Sequence, residues 1–261
     1  MNLTNNTVLI TGGSSGIGLE FAKQLLALGN TVLVTGRDEG KLQNVKKMLP
    51  AVHTYKSDVT DTYAIRLLYS EITKKFPDLN FVINNAGAMR KINLHDTAIS
   101  LEDITSELST NLVAPVRIVQ QFLPHLKKQK AAAILNVTSG LALAPFPIVP
   151  LYGASKAGLH SYTQSLRVQL KNTNVKVFDL IGPAANTGLN NTFAPGDIDP
   201  KTLMEADKLV SKTLEGIAGD TYEIYPGLAK MIRIMSKIAP GFLLQQFSKP
   251  VDKMLSNILV K

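Results

Sequence analysis

The chain has 261 residues, 45% of them apolar, enough to pack the core of one large domain and too many for disorder. It has no cysteine, so disulfides and thiolate metal sites are excluded and a reducing, cytoplasmic setting is expected. The net charge of +8 is uneven: residues 227–261 carry six Lys/Arg against Asp252 alone, leaving only +3 for the rest.

Short β-branched runs alternate with longer helical patterns along the chain. Strands are expected at Thr7–Thr11, Thr31–Thr35, Val52–Tyr55, Phe81–Asn84, Ile134–Ser139 and Val175–Leu180. Helices are expected near 17–28, 39–48, 61–75, 101–127 and 151–171, with Gly29-Asn30 stopping the first one. This alternation predicts an α/β fold, a doubly wound parallel sheet of the Rossmann type with a helical C-terminal extension. No linker or repeat divides the chain, so 1–261 reads as a single domain. Within it, Pro- and Gly-rich 188–226 reads as a substrate lid and 227–261 as a basic amphipathic tail. The N-terminus lacks the pattern of a secretory signal, and no apolar run approaches the ~18 residues of a membrane-spanning helix.

The first strand runs into "TGGSSGIG", a glycine turn that opens a helix. Its free N–H groups and the positive end of the helix dipole suit a pyrophosphate. The glycines do not satisfy G-x-G-x-x-G, and the P-loop spacing of Gly13 and Gly18 is followed by Leu19-Glu20 instead of Lys-Ser/Thr. A nucleoside triphosphatase is therefore a poor reading. The turn resembles T-G-x-x-x-G-x-G of the short-chain dehydrogenases/reductases. Four further matches follow in order: Asn84-Asn85-Ala86-Gly87, Asn111 in "STNLVAP", Ser139 in "NVTSG", and Tyr152 with Lys156 in "YGASK". Ser139 precedes Tyr152 by thirteen residues, the usual family spacing, and the resemblance spans roughly residues 5 to 190. The pattern, with "VTSGLA" and the basic tail, is also similar to the teichoic-acid-operon oxidoreductases of bacteria.

The resemblance implies a catalytic tetrad of Asn111, Ser139, Tyr152 and Lys156 acting on an alcohol or carbonyl compound. Of seven tyrosines, only Tyr152 has a lysine four residues later, on the same helix face. A nearby cation is expected to lower the phenol from its usual value near 10. The plainer alternative is a packed Tyr and an exposed Lys. Ser139 would polarise the substrate carbonyl, or merely serve the turn. Pro115 cannot donate to the Asn111 carbonyl, which in this family holds a water linked to the lysine; a kink without catalysis is the other reading.

For the cofactor, the resemblance points to Thr11, Gly12, Ser14, Ser15, Gly16, Ile17 and Gly18 in the glycine loop. It adds Asp58-Val59 at the adenine, Asn85, Ala86 and Gly87 behind the ribose, and Pro183, Ala185 and Thr187 at the nicotinamide. Tyr152 and Lys156 complete the set. Asp58 equally suits a helix N-cap. "IGPAANTG" inverts the usual Pro-Gly and carries an unusual Asn186, which leaves its backbone path open. At the end of the second strand, Gly36 stands where NAD-dependent folds place an acid, and Arg37 follows. This favours NADP(H) over NAD(H), with Ser14 and Lys41 near the same 2′-phosphate. Asp38 reads as the next N-cap.

An apolar rim of Leu141, Ala142, Leu143, Phe146 and Ile148 predicts a hydrophobic or bulky alcohol or ketone. Arg90 and Lys91 either attract an acidic group or are solvated. Histidines 53, 95, 125 and 160 form no close pair, so no metal is expected. The tail sets Leu228, Met231, Ile232, Met235 and Ile238 opposite Lys230, Arg233 and Lys237, a pattern repeated at Val251, Met254, Leu255, Ile258 and Leu259. It is expected to form a lid or a contact within a homodimer or homotetramer, ahead of peripheral membrane contact. Without a basic stripe interleaved with aromatics in the main domain, nucleic acid is not an expected partner. A dinucleotide-sensing regulator and a sugar-nucleotide epimerase or dehydratase remain as other classes, the latter short of room for its larger C-terminal domain.

Overall fold

The computed structural model describes residues 1–259, with side chains to Leu255. Seven parallel strands form one sheet in the order β3-β2-β1-β4-β5-β6-β7. The first elements are β1 (Thr7–Ile10), α1 (Gly16–Ala27), β2 (Thr31–Gly36), α2 (Glu39–Met48), β3 (His53–Lys56), α3 (Thr62–Lys75) and β4 (Leu79–Asn84). Two short helices, α4 (Leu101–Ile104) and α5 (Ser106–Leu108), lead through a π-turn at Ser109–Val113 into α6 (Ala114–Leu126). Then come β5 (Ala132–Val137), α7 (Pro150–Gln169), β6 (Val175–Leu180), α8 (Ala206–Ala218), β7 (Glu223–Ile224), α9 (Ala229–Ile238) and α10 (Pro240–Leu259).

Central strands of a parallel sheet are covered on both faces and so read as continuous apolar runs. "AAILNV" of β5 is buried at every position. On one face α1 and α8 meet the sheet through Phe21, Leu25, Leu209, Leu214 and Ile217. On the other, α3, α6 and α7 supply Ile65, Ile72, Ile118, Phe122 and Leu166. Chain direction across the sheet reverses at β1, which pairs with β2 on one side and β4 on the other. Ligand crevices open at such a switch point, beyond the carboxyl ends of the strands.

Several expected boundaries change. β5 ends at Val137, two residues early, which places Thr138 and Ser139 beyond the strand, where their side chains can serve a site. The continuous helix expected over 101–127 is broken at Thr105 and widened to a π-turn around Asn111. The lid expected over 188–226 is shorter. Its second half is α8, buried through Leu209, Val210, Leu214 and Ile217, followed by β7. Two strand residues in the polar setting "TYEIY" give no readable alternation. The tail's inward face also differs: Ala229 and Ile232 point in, while Met231 and Ile238 are exposed beside Ile234. Ile258 and Leu259 fall where side chains lie outside the described residues.

Candidate active site

One cavity of about 1080 Å³ runs along the carboxyl ends of β1, β2, β4 and β5. Of the residues expected at a dinucleotide, Gly12, Ser14, Ser15, Gly16, Ile17, Arg37, Asp58, Val59, Asn85, Ala86, Gly87, Pro183, Ala185 and Thr187 line it. So do Ser139, Tyr152 and Lys156, so the residues expected at the reaction and those expected at the dinucleotide share one space.

Thr11 and Gly18 are not in that lining. The Thr11 hydroxyl accepts from the N–H groups of Asn85 and Ala86, at 3.1 Å each. Asn85 Nδ2 donates in turn to the carbonyls of Thr11 (3.0 Å) and Gly12 (3.1 Å). The N-N-A-G segment thus pins the glycine loop, and Thr11 is a post in that framework. Gly18 packs so tightly that a β-carbon would lie 2.4 Å from both Asn85 Nδ2 and Gly12 O. Gly12 and Gly16 have φ of +65° and +54°, which turn the backbone toward the cavity in a conformation other residues adopt only under strain.

At the end of β2, the Ser14 hydroxyl lies 3.1 Å from the β-carbon position of Gly36, so an acidic side chain there would displace it. Arg37 is exposed beside them, without an acidic partner among the described residues. Asp38 caps α2 by accepting from Lys41 N at 3.0 Å. Asp58 is not a helix N-cap. It accepts from the Thr60 N–H (2.9 Å) and hydroxyl (2.8 Å), and Asp61 caps α3. Two buried hydroxyls bordering the cavity, Thr35 Oγ1 and Ser57 Oγ, have no partner among the described residues. Positive-φ glycines, unpaired hydroxyls and a free guanidinium together fit an elongated polar anion such as a dinucleotide.

Beyond β5, Ser139 Oγ accepts from Leu141 N at 3.2 Å, leaving its own proton to donate into the cavity. It therefore serves the turn and the site together. Tyr152 and Lys156 come from the first two turns of α7, both buried. Lys156 Nζ donates to the Val137 carbonyl (2.8 Å), with N–H donors left for the cavity. A β-carbon on Gly87 would lie 3.5 Å from Asn111 Oδ1 and 3.8 Å from Lys156 Nζ, so N-N-A-G, the π-turn and α7 converge at one point. Asn111 stands behind the wall. Its side chain accepts from Ala88 N and donates to Ala88 O, both at 2.8 Å, and reaches Ser155 Oγ at 3.0 Å. Pro115, which has no N–H, starts the helix after it, and the π-turn absorbs the break.

The electrostatics depart from expectation. Burial pushes the Tyr152 phenol up to about 12; the Ser139 hydrogen bond opposes this and Glu107 adds to it. The Lys156 ammonium sits 5.6 Å from the centre of the tyrosine ring, and burial outweighs it at the phenol. Burial also lowers Lys156 to about 8, against the attraction of Asp179. Asp179 escaped the sequence reading, although an acid in the apolar strand "VKVFDL" was its signal. Fully buried, it accepts from Thr138 Oγ1 (2.6 Å) and meets His160 Nδ1 at 2.7 Å, raising the histidine's pKa. His160, expected only on a helix face, thus anchors the acid behind Lys156.

Arg90 and Lys91 serve the framework. Arg90 holds Asp103 at 2.9 Å and the Asp103 carbonyl at 2.7 Å; Lys91 meets Asp197 at 2.8 Å. Of the expected apolar rim, Leu141 and Phe146 line the cavity, Ile148 is core, and Leu143 packs on Ile181 and Tyr225. Further apolar wall comes from Met89, Leu189, Phe193, Leu228, Met231, Ile232, Leu243 and Phe247, among others. Phe146 meets Phe193 (5.9 Å between ring centres) and Phe247 (5.5 Å), joining three segments over the cavity. The unusual Asn186 points outward to Glu205, while its N–H donates to Met204 O at 2.8 Å.

The family model for short chain dehydrogenase matches residues 6–197. The chain belongs to this family and is an oxidoreductase of its class. It is 47% identical over 190 residues to the uncharacterized oxidoreductase DltE of Bacillus subtilis (strain 168), covering 73% of this chain and 75% of that protein. Its fold matches a short-chain dehydrogenase/reductase from Burkholderia phymatum in complex with NAD, at TM-score 0.80 and 23% identity, covering 91% and 95% of the two chains. A short-chain dehydrogenase from Burkholderia cenocepacia J2315 in complex with NADP matches at TM-score 0.81 and 23% identity, covering 95% and 99%. Among the described residues, no helix is long and apolar enough to cross a membrane.

Proposed function

We propose that this protein interconverts a carbonyl and an alcohol on an apolar substrate, using NADP(H), with Tyr152 as proton donor and acceptor. The observation that carries the reading is the meeting of Ser139, Tyr152 and Lys156 at the end of a glycine-lined cavity. When bound, the reduced dinucleotide supplies the hydride that goes to the carbonyl carbon. Ser139 hydrogen-bonds the carbonyl oxygen and stabilises the charge that develops there. The Tyr152 phenol, kept protonated by burial, gives its proton to that oxygen and the alcohol forms. Lys156 offers its remaining N–H groups to the ribose and favours the phenolate left behind. In the oxidative direction Tyr152 takes the proton back. The aromatic bridge of Phe146, Phe193 and Phe247 excludes water and receives an apolar substrate.

Arg37 beside Ser14 and Gly36 supports NADP(H). The solved relatives hold either NAD or NADP, so preference rests on these residues. A parallel fluorescence titration with NADPH and NADH tests the reading. NADPH is expected to bind more tightly, and Arg37→Ala to weaken it about 10- to 100-fold with little effect on NADH. Equal losses for both would remove the 2′-phosphate contact. Tyr152→Phe is expected to bind NADPH normally and lose carbonyl reduction by 10²-fold or more. Near-normal turnover would overturn the mechanism.

A further inference from the structure

We propose that the corner between α9 and α10 docks on an anionic lipid surface and turns the mouth of the cavity toward it, so that an apolar substrate reaches Tyr152 from the bilayer side. The substrate clause rests on the function proposed above; the docking clause does not.

Exposed large apolar side chains are scattered singly over most of the molecule, as is normal for a surface. Between residues 228 and 244 they are concentrated: Leu228, Met231, Ile234, Ile238, Phe242 and Leu244. On α9 the inward face is Ala229 and Ile232, with Ile232 Cδ1 3.1 Å from the β-carbon position of Gly140, next to Ser139. The opposite face, at helical spacing, carries Ile234 and Ile238, 56% and 75% exposed. Phe242, 53% exposed, follows just past the Ala239-Pro240 corner.

Charge decides the occupant. Lys230 and Lys237 flank Ile234 on the outward face and have no acidic partner among the described residues. Arg233, by contrast, is engaged: it stacks at 4.4 Å over the Tyr225 ring and lies 4.0 Å from Glu223. A second copy meeting this face about a two-fold axis would bring residues 227–251 against themselves, a stretch with no Asp or Glu to pair the lysines. A small aqueous anion would satisfy the lysines but leave Ile234, Ile238 and Phe242 uncovered. An anionic bilayer satisfies both, taking the apolar corner below its headgroups and the lysines among them. Continuity with the site gives the second clause. Leu228 and Met231 are exposed and also line the cavity, so the docking face and the apolar wall are two sides of the same helix.

The test is flotation of the full chain with phosphatidylcholine vesicles with and without phosphatidylglycerol. Binding is expected only with the anionic lipid. It should weaken about thirtyfold or more in the pair Lys230→Glu/Lys237→Glu and be lost in the pair Ile234→Glu/Ile238→Glu. Both pairs lie on the outer surface and should titrate with NADPH like the parent, which separates lost docking from lost folding. No binding by the parent chain, binding indifferent to phosphatidylglycerol, or binding unchanged in both pairs would overturn the proposal. So would a dimer in sedimentation that the Ile234→Glu/Ile238→Glu pair dissociates. If vesicles bind as expected but NADPH does not bind the parent, docking stands and the substrate clause falls with the proposed function.

Discussion

The two ends of the cavity are built differently. The end proposed for the dinucleotide is backbone: glycine φ values, carbonyls held by Asn85, and N–H groups at the head of α1. The end proposed for the substrate is side chain: Phe146, Phe193 and Phe247 converge from three segments, and Lys91–Asp197 ties the segment after N-N-A-G to the loop after β6. The first kind of site is set by a handful of local conformations and tolerates almost no change. The second is set by packing between distant segments and can be reshaped without disturbing the chemistry.

Three substitutions sharpen that contrast. The largest effect is expected from Lys156→Met, where function and stability oppose each other. Activity should fall by 10²-fold or more, because the cavity loses its cation. Stability should rise. The buried ammonium's pKa is lowered to about 8, so its desolvation opposes folding by about 3 kcal/mol below that pH, less about 1 kcal/mol for its bond to Val137. A lowered lysine pKa means that the unfolded chain holds the proton longer as pH rises. The Tm advantage of the variant should therefore be full below pH 8 and close between there and about 10.5. Thermal melts across that range check the sign. An advantage that grows with pH would show that the ammonium is not buried at net cost.

Next is Gly18→Ala, a single methyl group at the backbone-built end. With its β-carbon 2.4 Å from Gly12 O, the glycine loop and α1 must separate. Dinucleotide affinity should drop about 100-fold or more, with a loss of about 1–3 kcal/mol of stability for overpacking. Isothermal titration and melts would read both. Affinity unchanged within twofold would mean the loop is softer than its hydrogen bonds indicate.

The smallest effect is expected at the side-chain end. Phe193→Ala should raise KM for an apolar substrate about 10-fold, from burial worth about 1.5–3 kcal/mol, and leave NADPH affinity unchanged. Steady-state kinetics with a short and a long apolar ketone separate the terms. If dinucleotide affinity falls as much as KM rises, the two ends are coupled and the contrast fails.

What could be read in the sequence follows the same division. Strand–helix alternation gave the fold, because apolar periodicity is local. The glycine turn, N-N-A-G, Asn111, Ser139 and Y-x-x-x-K stood out because each needs a residue type at a fixed spacing. The convergence of N-N-A-G, Asn111 and Lys156 at Gly87 is tertiary, as is the support of Thr11 by backbone N–H groups 74 and 75 residues away. Arg90 and Lys91 looked available for a ligand because Asp103 and Asp197, which bind them, lie 13 and 106 residues away.

By itself, then, the sequence determined a doubly wound sheet, a phosphate-suited turn and one tyrosine–lysine pair, all consequences of short-range geometry. Tertiary structure decided the rest. It buried Tyr152 and Lys156, and so kept the phenol protonated and cost the ammonium its hydration. It placed Asp179 and His160 behind the lysine, made the second half of the expected lid a core helix, and turned Ile234, Ile238 and the lysines beside them outward. Desolvation and facing depend on what surrounds a side chain, and those surroundings come from segments that meet only when the chain folds.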